Sequence, residues 1–327
     1  MKTWQERALE LEYEGLSPKA VHERINREYG TSFSYDKIKH YLWNQRKKNP
    51  VQIQNLTPAE IRPLVQQTII QNQEPERHEA KWDGCKVIKF GLMGDTQFGS
   101  KYAQITYIHD FYDLCEREGI TDIYHTGDIT DGLKMRVGHE YELYEHSADG
   151  QLADVVANYP KRDGITTHFI TGNHDASLYK QVGYDIGAAI AKERPDMHYL
   201  GRDAAIIYLT PNCTLELRHP WDGSAYSISY KPQKMVEAME SDSKPNILAI
   251  GHYHKAEWLF YRNVHVIQTG CFQAQTPFTR GKGISVHLGG YIITVRVSED
   301  GTIQGFSPEF VPFYKSIKDD YKNYWRR

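Results

Sequence analysis

Residues 87–100 read VIKFGLMGDTQFGS, an apolar run that passes directly into a glycine and an aspartate. The run from Val87 to Leu92 predicts a buried strand. An aspartate directly after such a strand, at Asp95, is a candidate metal ligand. The residue two places on, Gln97, is a neutral amide where a metal site would more often have a stronger donor. The meaning of this stretch therefore depends on what the rest of the chain supplies.

The composition indicates a globular protein. The chain has 327 residues, 40% of them hydrophobic, and a formal charge of −3. This length allows roughly two domains, and the charge argues against a protein that coats nucleic acid or membranes with its whole surface. The polar start is not a secretory signal, and no run reaches the roughly 18 apolar residues of a membrane helix. We expect a cytoplasmic protein without a membrane partner, either alone or as a homo-oligomer.

The first 50 residues predict three short helices. Trp4 to Tyr13 has helical apolar spacing, Ser17-Pro18 starts a second helix that stops at Gly30, and Ser34 caps a third. Three helices with a basic last helix resemble a helix-turn-helix module that binds DNA in the major groove. Its candidate DNA contacts share one face of the third helix: Lys37, His40, Asn44 and Lys47.

An alternative for residues 1–50 is a helical bundle that serves as a docking or oligomerisation element. Glutamates in the first two helices favour this alternative, because they disfavour contact with phosphates. In the DNA-binding interpretation, Asn44 reads an adenine edge and the cations meet phosphates.

Residues 51–84 are rich in Gln, Asn, Pro and Glu and predict a connecting segment with one helix after Thr57-Pro58. From Cys85 to Arg327 the pattern changes to strands that alternate with helices, which predicts an α/β domain with an antiparallel second half. The predicted strands are 87–92, 123–125, 168–171, 206–209, 214–218, 247–251, 264–269 and 291–297. The predicted helices are 105–117, a stretch within 140–158, 184–193 and 231–241.

Five short motifs follow predicted strands in this domain. They are Gly94-Asp95-Thr96-Gln97, Gly127-Asp128-Ile129-Thr130-Asp131-Gly132, Gly172-Asn173-His174-Asp175, His219-Pro220 and Gly251-His252-Tyr253-His254. Each alone has an ordinary structural explanation, such as a turn in which an Asp or Asn side chain bonds backbone. Together they place metal-binding residue types at strand ends, and strand ends converge on one crevice in α/β sheets.

In this order, the motifs resemble the signature of the calcineurin-like metallophosphoesterase family over about residues 85 to 275. The resemblance implies a sandwich of two β-sheets flanked by helices, with two metal ions at the strand ends. Position by position, it implies that one metal is held by Asp95, Asp128 and His254, with Gln97 in the place of the family's histidine. The other metal would be held by Asp128, Asn173, His219 and His252, so that Asp128 bridges the two.

The resemblance also implies hydrolysis of a phosphate ester by a metal-activated water. His174 is the expected general acid, and Asp175 is expected to fix its tautomer. Arg136 and His139 follow the bridging aspartate closely and are candidates for contact with substrate phosphates. Mixed oxygen and nitrogen ligation suits Mn²⁺ first, with Fe²⁺, Zn²⁺ or Mg²⁺ as alternatives.

The fused N-terminal module favours DNA as partner and substrate. The predicted function is therefore a DNA phosphodiesterase similar to the break-repair nucleases of the family, in a fusion that resembles phage proteins. A phosphatase acting on a nucleotide or phosphoprotein is the first alternative, and a non-enzymatic DNA-binding regulator is the second. Gln97 either ligates the first metal through its amide oxygen, a weaker donor than imidazole toward Zn²⁺ or Fe²⁺, or contacts it only through water. In both cases the sequence predicts that the first metal is the more weakly bound.

Overall fold

A computed structural model of the protein describes residues 4–13, 16–48, 75–223 and 225–324. Its contacts divide the chain into one unit from Met1 to Gln73 and a second from Glu74 to Arg327. Among the described residues, no helix combines the length and apolarity that crossing a bilayer demands.

Three helices form the described part of the first unit: α1 (Trp4–Tyr13), α2 (Pro18–Tyr29) and α3 (Tyr35–Lys48). The Ser17 hydroxyl accepts a hydrogen bond from the Ala20 amide, and Gly30 ends α2 with φ 61°. A small core joins the three helices and contains Ala8, Leu11, Val21, Ile25, Ile38 and Leu42. The predicted helices and caps are therefore present, since apolar spacing and capping residues act locally.

Twelve strands and six helices make up the described part of the second unit. The strands are β1 (Glu76–Glu79), β2 (Val87–Met93), β3 (Asp122–His125), β4 (Thr166–Thr171), β5 (Met197–Arg202), β6 (Ala204–Thr210), β7 (Cys213–Arg218), β8 (Ile247–Ile250), β9 (Ala256–Tyr261), β10 (Val264–Thr269), β11 (Gly289–Val297) and β12 (Ile303–Pro312). The helices are α4 (Ile105–Arg117), α5 (Ala148–Asn158), α6 (Asp175–Val182), α7 (Ile186–Glu193), α8 (Tyr230–Ala238) and α9 (Pro277–Gly281).

The strands form two six-stranded sheets, in the orders β1-β6-β7-β8-β10-β9 and β12-β11-β2-β3-β4-β5. The two-sheet sandwich predicted from the sequence is confirmed. The second half is mixed rather than antiparallel, because β8 pairs in parallel with both β7 and β10. Four strands were not predicted from the sequence, namely β1, β5, β9 and β12, and neither were helices α6 and α9.

The contacts place the boundary between the units at Gln73–Glu74 and not at Cys85. The reason is β1, which lies inside the predicted connector and pairs in parallel with β6. Its sequence, Glu-Arg-His-Glu, has no apolar alternation, so only its partner strand makes it a strand. The predicted helix after Thr57 lies outside the described residues.

Alternating side chains of the second sheet serve two cores. Phe90, Tyr124 and Ile170 face the other sheet, whereas Ile123 and Phe169 pack against helices. Each such buried apolar side chain contributes about 1.5–3 kcal/mol. Strands β2, β3 and β4 are parallel neighbours, so the loops after them meet at one edge of the sheet. The first three predicted motifs occupy those loops.

Candidate metal centre

Two histidines are oriented by hydrogen bonds to backbone carbonyls. His219 Nδ1 donates to the Thr126 carbonyl at 2.8 Å, and His252 Nε2 donates to the Asp222 carbonyl at 2.7 Å. This leaves His219 Nε2 and His252 Nδ1 as the free ring nitrogens, at 3.0 and 2.8 Å from Asn173 Oδ1. Fixing one ring nitrogen so that the other faces a common point is the arrangement that metal-binding histidines use.

Asp128 completes this cluster. Its Oδ2 lies 3.2 Å from His219 Nε2, and its Oδ1 accepts a hydrogen bond from the His174 amide at 2.8 Å. Ligand atoms of Asp128, His219 and His252 all lie within 4.8 Å of one another. Two imidazole nitrogens, a carboxylate oxygen and an amide oxygen suit a divalent transition metal. The structure thus brings together all four residues predicted for the second metal.

Charge in the cluster also favours a cation. Burial opposes ionisation of Asp128, yet His219 and His174 hold its pKa well below the usual range. Conversely, burial disfavours a charged His219, but the Asp128 carboxylate raises the pKa of this imidazole to about 9. A proton on His219 Nε2 therefore occupies the position that a metal would take, and a metal must displace it.

The residues predicted for the first metal also lie together. His254 Nε2 is 3.2 Å from Asp95 Oδ1, and both Asp95 oxygens accept from the His252 amide. Gln97 is fully buried beside them, and its Nε2 donates to Asp128 Oδ2 at 3.1 Å. Its Oε1 has no hydrogen-bond partner among the described residues. A buried acceptor without a partner costs free energy, which is consistent with a group that binds a cation.

The Gln97 amide can serve this site in two orientations. With Nε2 toward Asp128, the amide acts as a hydrogen-bond donor that partly neutralises the carboxylate. Turned by 180°, it places Oε1 beside Asp128 Oδ2, where two acceptors are stable only with a cation between them. Ligation in the second orientation loses the hydrogen bond from Nε2 to Asp128, whereas ligation by the unpartnered Oε1 in the first orientation keeps it.

Gln97→His is expected to tighten the weaker of two metal-binding steps by roughly tenfold, since a single stronger ligand is worth about 1.4 kcal/mol or more. Titration calorimetry with Mn²⁺ and with Zn²⁺ measures both steps. The affinity for Zn²⁺ should increase more than the affinity for Mn²⁺. Gln104→His is the control, because Gln104 is equally buried but bonds backbone at Ile317. Unchanged affinities for both metals would exclude Gln97 from the coordination sphere.

Backbone strain marks the same loops. Of the ten non-glycine residues with positive φ in the described part of the chain, five are predicted metal ligands: Asp95, Gln97, Asp128, His252 and His254. Such conformations are uncommon outside glycine and tend to occur at functional sites. Gly172 is required beside them, because a Cβ there would overlap Asp128 Oδ1 and the His219 ring.

The residue that orients His174, the expected general acid, is Asp131 and not Asp175. His174 Nδ1 donates to the Asp131 backbone carbonyl at 2.7 Å and lies 3.1 Å from Asp131 Oδ1. Burial disfavours the imidazolium, but the Asp128 and Asp131 carboxylates raise the pKa of His174 to about 9. His174 Nε2 is left free. We call the group of Asp128, Asn173, His219 and His252 the metal cluster, and His174 lines the cavity over it.

Asp175 has a structural role, which corrects the catalytic one expected for it. Its carboxylate is buried and accepts hydrogen bonds from the amides of Ile129, Thr130 and Gly172, and from the Thr130 hydroxyl. It therefore ties the loop after β3 to the loop after β4. Sequence adjacency to His174 suggested a pair, but the first turn of α6 points the two side chains to different partners.

Asp175→Ala is expected to lower the free energy of unfolding by about 3 kcal/mol or more, because it leaves three buried amides unsatisfied at about 1–3 kcal/mol each. Urea denaturation followed by circular dichroism measures the loss. Asp149→Ala is the matched control, since Asp149 also stands in the first turn of a helix but is exposed, and no backbone amide among the described residues donates to its carboxylate. A variant of unchanged stability that has lost its catalytic rate would contradict this assignment and restore the catalytic one.

The two predicted substrate contacts have different environments. His139 is fully buried, with Nε2 at 3.3 Å from Asp131 Oδ2 and Nδ1 accepting from the Met135 amide. It supports Asp131 from behind and does not reach a substrate. Arg136 does line the cavity. It pairs with Glu142 and stacks over the Phe278 ring at 4.2 Å.

The cavity over the metal cluster has a volume of about 490 Å³. Besides the predicted residues, its walls include Trp221, Asp222, Gln273 and Phe278, which sequence reasoning missed. None of these stands in a recognisable motif. Asp131 also lines the cavity and stands in the motif Gly127–Gly132.

The predicted DNA contacts lie on α3. Lys37 and His40 are exposed, and Lys37 Nζ stacks over the Phe33 ring at 3.9 Å. The side chains of Asn44 and Lys47 lie outside the described residues. The assignment of this helix to DNA therefore stays a prediction.

No family model matches the chain. It is 26% identical over 191 residues to the DNA polymerase II small subunit of Pyrococcus horikoshii, a stretch that covers 47% of this chain and 30% of that protein. It is 25% identical over 189 residues to the DNA polymerase II small subunit of Methanothermobacter thermautotrophicus, covering 47% of this chain and 39% of that one. The matched stretch thus spans well under half the length of these curated relatives.

Solved structures with some likeness to the chain include an archaeal phosphodiesterase, at a TM-score of 0.39 and 12% identity, covering 68% of this chain and all of that one. Vps29 of Entamoeba histolytica in complex with Zn²⁺ has a TM-score of 0.33 and 14% identity, covering 69% of this chain and 99% of that one. At such low scores these likenesses are partial. The fold is therefore assigned from the order of the strands in the two sheets.

Proposed function

We propose that this protein is a metal-dependent phosphoesterase of the calcineurin-like type. One observation carries the proposal: Asp128 Oδ2, Asn173 Oδ1, His219 Nε2 and His252 Nδ1 face one point within hydrogen-bonding distances. The donor set suits Mn²⁺ first, with Fe²⁺, Zn²⁺ and Mg²⁺ as alternatives. Asp95, Gln97 and His254 would hold a second ion beside it.

When bound, such ions lower the pKa of a water molecule and polarise phosphoryl oxygens. The chain supplies the rest of the chemistry. Asp131 holds Nδ1 of His174, so Nε2 can donate a proton to the departing alkoxide oxygen. Besides the effect of Asp128, the Asp131 carboxylate raises the pKa of this imidazole. Arg136, paired with Glu142 at the cavity wall, is positioned to contact a substrate phosphate.

DNA is the substrate that we propose. Support comes from the resemblance of the motifs to break-repair nucleases and from the similarity to DNA polymerase II small subunits. The N-terminal helices, through Lys37, His40, Asn44 and Lys47, would hold DNA and raise its local concentration at the metal centre. The protein would then act as a tethered phosphodiesterase in the cytoplasm.

A panel of metals and substrates tests the proposal. With Mn²⁺, the protein should hydrolyse bis(p-nitrophenyl) phosphate and degrade linear DNA, and EDTA should abolish both activities. Hydrolysis of the small diester without any cleavage of DNA would reject the nuclease and favour the phosphatase alternative. Absence of both activities with every metal would reject the phosphoesterase itself.

A further inference from the structure

A second cavity adjoins the one over the metal cluster. It has a volume of about 480 Å³ and shares Tyr253, Lys282 and Ile284 with the metal cavity. We call it the side cavity and define it by Tyr226, Lys231, Lys255, Lys282, Ile284 and His287. Because these residues line both cavities, the two cavities lie side by side.

The side cavity is lined by lysines, and no carboxylate lines it among the residues that the structure describes. The charge of Lys231 is neutralised by Asp222. Lys255 donates to the Ser285 hydroxyl at 2.8 Å and to its carbonyl, so its charge has no anionic partner there. Lys282 is exposed, and no described residue forms an ion pair with it. Two positive charges therefore remain uncompensated.

The other polar side chains of the side cavity do not offset these charges. Gln268 lines the cavity and donates to Glu257 Oε2 at 2.8 Å and to the Ile228 carbonyl at 3.0 Å, while Glu257 itself is not among the lining residues. His287 Nδ1 accepts from the Ala256 amide, and burial lowers the pKa of His287. The metal cavity, in contrast, is lined by Asp128, Asp131 and Asp222. The side cavity is thus an anion site next to a cation site.

An aromatic side chain stands at the rim of the side cavity. Tyr226 is fully exposed, with a relative accessibility of 109%, and Ile228 beside it is also exposed. Exposed aromatic rings next to lysines are how proteins bind single-stranded nucleic acid, with stacking on bases and cations on phosphates.

We propose that the side cavity binds the phosphate next to the one that is hydrolysed, in a single strand of nucleic acid. Lys255 and Lys282 contact this second phosphate, and Tyr226 stacks on the adjoining base. The inference rests on the proposed function, because the hydrolysed phosphate must lie in the metal cavity. The inferred substrate is therefore a strand with at least two phosphodiesters, and not a mononucleotide.

The test compares two substrates in the full chain with Mn²⁺. A dinucleotide has one phosphodiester and leaves the side cavity empty, whereas a trinucleotide has two. The wild type should prefer the trinucleotide in kcat/KM by on the order of tenfold, as expected for hydrogen bonds to a charged group. Lys282→Gln should remove part of this preference, and Lys255→Gln combined with Lys282→Gln should remove most of it, leaving only the part that stacking on Tyr226 contributes. Lys234→Gln is the control, since Lys234 is equally exposed, pairs with Glu237 and lines neither cavity.

A salt titration provides a second measurement. On single strands the log–log slope of affinity against salt is about −0.7 per neutralised phosphate, so the double variant, which loses its contacts to one phosphate, should flatten the slope by about 0.7 on a single-stranded oligonucleotide. Any contribution of the N-terminal helices is the same in both proteins and cancels in this difference. A flattening seen on duplex DNA but not on single strands would overturn the single-strand assignment.

Failure of the inference can be distinguished from failure of the proposed function. If the wild type hydrolyses bis(p-nitrophenyl) phosphate and the variants keep the trinucleotide preference and salt slope, the side cavity is not a phosphate site. If the wild type hydrolyses no phosphodiester with any metal, the proposed function is rejected, and the inference that rests on it is rejected with it. A lost preference that Lys234→Gln reproduces would show an effect of net charge alone, and would also overturn the inference.

Discussion

Asp128→Asn is expected to lower hydrolysis of DNA and of bis(p-nitrophenyl) phosphate by roughly a thousandfold or more. Asp128 lies between both sets of metal ligands, near His219 Nε2 and Gln97 Nε2. The substitution removes the carboxylate charge that would hold the ions, and metal ions supply several kcal/mol of transition-state stabilisation. Asparagine has the same shape and tolerates the left-handed conformation of this position, φ 56°, so the fold should survive.

Titration calorimetry with Mn²⁺ should show that Asp128→Asn weakens metal binding in parallel with the loss of rate. Asp319→Asn is the matched control, because Asp319 also has φ 56° but lies in an exposed turn and pairs with Lys322. The control should keep its metal affinity and its rate. Full turnover by Asp128→Asn would end the two-metal interpretation of this site.

His174→Ala is expected to reduce cleavage of DNA by about 10²–10⁴-fold, the usual contribution of a general acid. The loss should be much smaller with bis(p-nitrophenyl) phosphate, because p-nitrophenolate leaves without protonation, whereas the alkoxide of a nucleotide needs a proton. His174 contacts Asp131 through its ring and Asp128 only through its backbone amide. Metal affinity should therefore stay within a few-fold of the wild type.

The ratio of the two losses identifies the role of His174. His198→Ala serves as the control, since His198 is exposed on β5 and contacts the His168 ring rather than the metal cluster. Equal losses on both substrates, or a loss that follows reduced metal affinity, would show that His174 acts as a ligand or a structural residue and not as a proton donor.

Much of the candidate site was predictable, because metal-ligand residue types recur at strand ends. The apolar runs of strands β2, β3 and β4 can be recognised in the sequence alone. Because these strands are parallel, the residues that follow them meet at one edge of the sheet. Asp95, Asp128 and Asn173 are found there. His219 and His252 come from the other sheet, and only the order of their motifs along the chain indicated that they belong to the same site.

The partners of these residues were less predictable. Asp175 was expected to bond its neighbour His174, yet it bonds three amides of two loops. His139 was expected at the substrate, yet it is buried behind Asp131. Which polar group a buried side chain contacts depends on the course of distant loops, because every buried donor and acceptor must find a partner in three dimensions.

The same distinction holds for the fold. Local signals, namely apolar periodicity and capping residues such as Ser17 and Gly30, determined the existence of most helices and strands. Pairing across the sheet decided the elements without such signals, β1 above all, whose charged sequence becomes a strand because β6 offers it an edge. The sequence by itself therefore determined an α/β sandwich with residue types that can bind metal at its strand ends. Only the tertiary structure decided that Asp131 orients His174, that Gln97 faces Asp128, and that a cavity lined by lysines adjoins the metal cluster, since these depend on distances between residues far apart in the chain.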